Sequence, residues 1–161
     1  GVFRRQRQMC IRDSPYTPAT NLLYGLVESI DMLHEEGLEN VFSRHARHGA
    51  TTRQAVRAWG LEVLCSEQGA ESGVLTAVML PKGHSADAFR EKALTEFGIS
   101  LGNGLSKVSD KVFRIGHLGD FNDLMLMATL SGVELGLESA SVPYNRGGVQ
   151  VALEQLKTSE T

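Results

Sequence analysis

The chain lacks the features that identify several broad classes of protein. Its 161 residues carry 16 basic and 19 acidic side chains, a net charge of −3, whereas a nucleic-acid-binding protein needs an excess of Lys and Arg. No apolar run approaches the roughly 18 residues that indicate a membrane span. No apolar stretch follows the basic N-terminus, as it would in a cleavable signal. We therefore expect a cytoplasmic protein with no nucleic-acid or membrane partner.

Cysteine is scarce. Cys10 and Cys65 are far apart, and neither belongs to a CxxC motif or has metal-ligand spacing. Unpaired thiols in a reducing compartment are the expectation, and no metal site is predicted. No internal repeat is present either, and the length suits one domain of ordinary size with a substantial core.

Residues 1–14 differ from everything that follows them. Four arginines fall within the first twelve residues, with no helical or strand periodicity. This tail resembles translated adapter sequence, and we exclude it from the fold prediction. A natural basic tail is the alternative.

From Pro15 onwards the apolar periodicity predicts elements in the order α-α-β-β-α-β-β-α-α. The predicted helices run from the N-cap Thr20 to Gly37, from Leu38 to Ala58, from the N-cap Ser85 to Phe97, from Asp120 or Asn122 to Ser139, and from Val149 to Lys157. The predicted strands are 61–65, 74–80, 99–101 and 111–117, with a turn at 102–104.

Only one helix interrupts the predicted strands. That order favours an α+β fold, in which helices cover one side of a small, mostly antiparallel sheet. We divide the chain into the tail 1–14, a helical segment 15–60 and an α+β domain 61–161.

Arg114 is the strongest candidate for a functional residue. It interrupts an apolar strand, where Val112 shares its face and Phe113 and Ile115 point the other way. A buried arginine needs a partner, because an unpaired charge in a low dielectric is costly. Its planar fork matches a carboxylate at two points. From the residues alone, an ion pair with one of the protein's own acids is the stronger interpretation.

Two further groups of residues are weaker candidates. Gly102-Asn103-Gly104 with Ser106 and Lys107 could hold an anion, but a tight turn between strands is favoured. Basic residues also cluster near the end of the first helix and along the second, and we interpret them as a solvated helix face rather than a metal site. These are His34, His45, His48, Arg44, Arg47, Arg53 and Arg57.

Four ordered segments together resemble the C-terminal half of class V aminotransferases, and most closely the serine–glyoxylate and alanine–glyoxylate group. The resemblance extends from Pro15 to about Leu156. The segments are PYTPATNLLYGL at 15–26, EEGLEN at 35–40, SLGNGL at 100–105 and VFRIGHLGD at 112–120.

The resemblance implies the small C-terminal domain of a fold type I enzyme, preceded by long interdomain helices at 15–60. It implies pyridoxal 5′-phosphate as cofactor, a homodimer, and transfer of the amino group of serine or alanine to glyoxylate. Arg114 matches the arginine that binds the substrate carboxylate. Tyr16 and Thr17 resemble positions that approach the cofactor phosphate of the neighbouring subunit.

The family's Schiff-base lysine precedes the first of these segments, and none of the five lysines of this chain matches it. No catalytic residue is therefore assigned, and we expect the chain alone to be inactive. The alternative to an enzyme part is a stand-alone dimerisation or ligand-binding α+β domain in which Arg114 forms a structural ion pair.

Overall fold

The computed structural model describes residues 18–67 and 69–158. The tail 1–14 and both proposed phosphate-contacting residues, Tyr16 and Thr17, lie outside the described residues. The chain divides into two compact units, residues 1–41 and 42–161. This division falls inside the second helix, whereas the sequence boundary at residue 60 follows that helix. The assignment of 15–60 and 61–161 to parts of a longer enzyme stays a prediction.

Helix α1 spans Thr20–Glu36. The prediction of Thr20 as N-cap is wrong, because Ala19 holds that position and no side chain caps the helix. Gly37 ends the helix as predicted: its φ is 84°, and its amide donates to the Leu33 carbonyl at 3.0 Å. No residue of α1 is buried, although the helix is rich in leucine.

The remaining helices follow the predicted bounds closely. Helix α2 spans Leu38–Ala58, α3 Ala86–Phe97, α4 Asp123–Ser139 and α5 Gly148–Thr158. Two caps were identified correctly. The Ser85 hydroxyl accepts from the Ala88 amide at 3.0 Å, and the Asn122 side chain accepts from the Met125 amide at 2.9 Å.

The second unit contains a four-stranded sheet. Its strands are β1 (Glu62–Val63), β2 (Leu75–Met79), β3 (Gly102–Asn103) and β4 (Val112–Gly116). They lie in the order β1-β2-β4-β3, and every neighbouring pair is antiparallel. The predicted strand 99–101 and turn 102–104 are wrong by a few residues.

The turn lies later because Gly102 and Asn103 pair with β4 instead of reversing the chain. The reversal begins at Gly104, where a Cβ would lie 2.1 Å from the Val108 carbonyl oxygen, and it passes through a 3₁₀ turn at Ser106–Val108. Glycine is required at Gly104 by this close backbone approach rather than by a left-handed φ.

The core of the second unit lies between one face of the sheet and the helices. Phe113 and Ile115 are fully buried on that face, and the Phe113 ring packs 4.6 Å from the Phe89 ring of α3. The opposite face of β2 is only half-buried. This one-sided arrangement confirms the predicted α+β fold. Within the described ranges no helix combines the length and the apolar character that crossing a membrane would need.

Candidate functional site

Arg114 lies on the half-buried face of the sheet, in an internal strand. Its register partners are Ala77 on β2 and Gly102 on β3. Both neighbours are small, so the Arg114 side chain leaves the sheet between a methyl-bearing residue on one strand and bare backbone on the other. The interleaving of Arg114 with the core residues Phe113 and Ile115 follows from strand alternation, as predicted.

The guanidinium of Arg114 makes no ion pair or hydrogen bond with the residues that the structure describes. Its Nε atom is buried and has no partner there. The two terminal nitrogens are not among the buried atoms that lack a partner. A half-buried arginine with free donors is suited to bind an anionic group from outside.

Gly102 packs directly against this side chain. A Cβ placed on Gly102 would lie 3.1 Å from Cβ and 3.1 Å from Nε of Arg114, and 3.5 Å from Cζ. The remainder of the loop does not converge on an anion site, since Ser106 and Lys107 are exposed in the 3₁₀ turn.

The basic face of α2 is not solvated as predicted. His48 is fully buried and His45 is 8% exposed, whereas His34 on α1 is exposed. The buried side of α2 continues through Thr52 and Trp59 at helical spacing. The prediction placed these histidines at the surface, although their helical spacing relative to Thr52 indicated one buried face.

Asp123 organises the polar end of this face. Its carboxylate accepts two hydrogen bonds from Arg47, at 2.7 and 3.0 Å, and lies 2.7 Å from Nε2 of His48. Partial burial raises the pKa of Asp123, but the His48 hydrogen bond and the Arg47 charge outweigh it and lower the pKa overall. Burial lowers the pKa of His48 despite the nearby Asp123.

Arg44 ties the same helix to the segment that follows β4. Its guanidinium donates to the carbonyls of Gly119 and Phe121, each at 2.9 Å. The Gly119 amide in turn donates to His45 Nε2 at 3.3 Å. These contacts fix the segment that follows the strand carrying Arg114, so the polar side of α2 has a structural role.

His117 is the residue that sequence reasoning missed most clearly. It is fully buried, and its Nε2 lies 3.1 Å from the Thr76 hydroxyl. Burial, together with the charges of His48 and Arg53, lowers its pKa to about 4. Its position directly after an apolar strand was the available signal.

The described residues offer no group of three or more His, Cys, Asp or Glu side chains that could hold a metal ion. The five lysines are all exposed. One of them, Lys92, donates to the Ser139 carbonyl at 2.7 Å.

The chain is similar to known aminotransferases over most of its length. It is 46% identical over 144 residues to serine–glyoxylate aminotransferase of Arabidopsis thaliana, and 45% identical over 144 residues to the enzyme of that name from Methylorubrum extorquens. Each match covers 89% of this chain but 36% of the relative. No protein-family model matches the chain.

A solved structure gives the same result for the fold. The crystal structure of ureidoglycine–glyoxylate aminotransferase from Bacillus subtilis superposes with a TM-score of 0.82 at 30% identity. That match covers 91% of this chain and 38% of the solved one. The chain thus spans little more than a third of the length of these relatives, and over that span it is similar in sequence and in fold to aminotransferases.

Proposed function

We propose that the chain contributes the substrate-carboxylate site of a pyridoxal-phosphate-dependent aminotransferase that moves the amino group of serine or alanine to glyoxylate. One observation carries the proposal: Arg114 presents an unpaired guanidinium on the open face of an internal strand. The alternative, a structural ion pair, has no acid to supply it among the described residues. The names of the relatives described above share glyoxylate, which supports glyoxylate as the acceptor.

The geometry suits a carboxylate. Two parallel, charge-assisted hydrogen bonds from the terminal nitrogens of Arg114 would fix both oxygens of the substrate's α-carboxylate in one plane. Fixing that plane limits the rotation of the attached Cα, so the bond that must break keeps a constant orientation. The contribution of Arg114 is thus binding and orientation, with no proton transfer.

The cofactor supplies, when it is bound, the electron sink that transamination requires. The residues proposed to approach its phosphate in a neighbouring subunit, Tyr16 and Thr17, fall outside the described part of the chain. The described lysines are exposed and match no cofactor position in the family. We propose a homodimer only for the full-length enzyme.

An Arg114→Lys variant tests the proposal in a chimera. Residues 15–158 would replace the matching third of the Arabidopsis thaliana relative, which restores a complete enzyme. Lysine keeps the charge but loses the two-point contact. We expect KM for the amino-acid substrate to rise about 10- to 100-fold, the loss of one strong charge-assisted contact.

Arg146→Lys is the matched control. Arg146 pairs with Glu138 on the surface, and its side chain is 75% exposed. Its conversion to lysine should leave KM unchanged. An unchanged KM in the Arg114→Lys chimera, with normal turnover, would remove Arg114 from the substrate site.

A further inference from the structure

We propose that Gly102 is a positioning residue for Arg114. The absence of a side chain at Gly102 lets the arginine stem lie across the backbone of β3, which directs the terminal nitrogens toward the open face. This inference rests on the proposed function of Arg114, and it assigns a role to a strand residue that does not touch substrate.

Gly102 and Arg114 approach each other closely. Carbon atoms in ordinary contact lie about 3.5–4.0 Å apart. A Cβ on Gly102 would lie 3.1 Å from both Cβ and Nε of Arg114. A methyl group therefore cannot be added unless Arg114 shifts by a few tenths of an ångström. Its Nε can move by rotation of the side chain, whereas its Cβ is fixed to the strand.

The backbone conformation of residue 102 does not require glycine. Gly102 is absent from the residues of positive φ, so alanine could adopt its conformation without strain. Glycine inside a strand weakens it, by about 0.5–1 kcal/mol relative to alanine. A glycine that is not needed for its φ commonly marks a close approach by another group, and here that group is the arginine.

The packing of Gly102 determines which donors of Arg114 remain accessible. Nε of Arg114 is buried with no described partner, and it faces the space that a Gly102 side chain would take. Covering Nε leaves the terminal pair of nitrogens as the accessible donors, which selects one of the two bidentate geometries of a guanidinium. A side chain at residue 102 would rotate the fork and lose this selection.

The test compares Gly102→Ala with Gly116→Ala. Gly116 lies on the same strand and face as Arg114, its φ is not positive, and a Cβ there would meet nothing within 4 Å. In the ¹⁵N-labelled full chain, we expect Gly102→Ala to shift the Nε–H signal of Arg114 and to speed its exchange with water. Gly116→Ala should leave that signal in place.

The same two substitutions are then made in the chimera. We expect Gly102→Ala to raise KM for the amino acid about tenfold while kcat changes less than about twofold, the pattern of lost uniform binding. A general structural defect would lower kcat or the melting temperature instead. Gly116→Ala should change neither constant.

The outcomes separate the two proposals. If Gly102→Ala matches Gly116→Ala in both the Nε–H signal and KM, the positioning role is overturned. If the signal moves but KM does not, while Arg114→Lys raises KM, Gly102 packs against Arg114 without positioning it and the proposed function stands. If Arg114→Lys leaves KM unchanged, the proposed function fails, and with it the role of Gly102 in substrate binding.

Discussion

His117 is held as a neutral imidazole in a basic neighbourhood. Its ring is fully buried, and the cationic or titratable side chains around it are His48, Arg53 and His45. Burial is the main reason that its pKa is lowered to about 4. His117 therefore stays unprotonated in the folded chain at pH values where the unfolded chain, with the ordinary histidine pKa of 6.5, binds a proton.

We predict that acid weakens the second unit through this residue. A lowered histidine pKa means that the unfolded state binds more protons, so the free energy of unfolding falls as pH drops below about 6.5 and is fully reduced below about 4. The full effect of His117 alone is about 3 kcal/mol. His48, whose pKa is also lowered, contributes with the same sign.

A His117→Gln variant should flatten this dependence, because glutamine keeps a polar group beside Thr76 and does not titrate. The measurement is urea unfolding between pH 7 and pH 4.5, followed by fluorescence of Trp59, the chain's one tryptophan and a buried residue. His34→Gln, which changes an exposed imidazole, is the control. If the free energy of unfolding depended equally on pH in His117→Gln and in the unsubstituted chain, the role assigned to His117 would be contradicted.

At the scale of elements, one carboxylate joins three pieces of the second unit. Glu134 on α4 accepts a hydrogen bond from Trp59 Nε1 at 2.7 Å. It also accepts from the amides of Gly147 and Val149, at 3.3 and 3.2 Å, where α5 begins. A negative charge at a helix N-terminus is favourable, and here it also satisfies free amides. Gly148 allows the close packing, since a Cβ would lie 2.2 Å from Trp59 Nε1.

We predict that Glu134→Ala destabilises the second unit by about 2–3 kcal/mol, because the Trp59 donor and two backbone amides lose their acceptor. Glu138→Ala is the matched control on the same helix. It removes an exposed pair with Arg146, for which about 0.5 kcal/mol or less is expected. Urea unfolding of both variants checks the difference, and equal losses would show that the cap contributes little.

Apolar periodicity and capping residues predicted the helices well, because Ser85, Asn122 and Gly37 act locally. The placement of β3 failed, since pairing with β4 is a long-range contact that outweighs the turn tendency of Gly102-Asn103. The buried histidines were misplaced for a related reason. Their burial depends on Asp123 and Gly119, about 75 residues away in the chain.

At the scale of the whole molecule, the candidate site is only partly contained in the described chain. Arg114 was proposed from its surrounding motif, and its guanidinium has no partner among the described residues, which supports the proposal. Gly102 was interpreted as part of a turn, because the space that its missing side chain provides becomes visible only when the arginine is in place. Tyr16 and Thr17 stay predictions.

We predict that the chain alone does not bind pyridoxal 5′-phosphate covalently. Its five lysines are exposed, and we expect none of them to occupy the Schiff-base position of the family. Titration of the chain with the cofactor should produce no absorption band that depends on one specific lysine. A band abolished by a single lysine substitution, and retained by the other four, would refute this.

The internal position of β4 has a mechanical consequence. Neighbouring strands hold its backbone on both edges, so the Cα of Arg114 moves only when the whole sheet moves. The guanidinium can therefore adjust to a substrate only through the side-chain torsions of Arg114. Strand pairing fixes the position of the Arg114 backbone, and contact with the Gly102 backbone limits the rotamers that the arginine side chain can adopt.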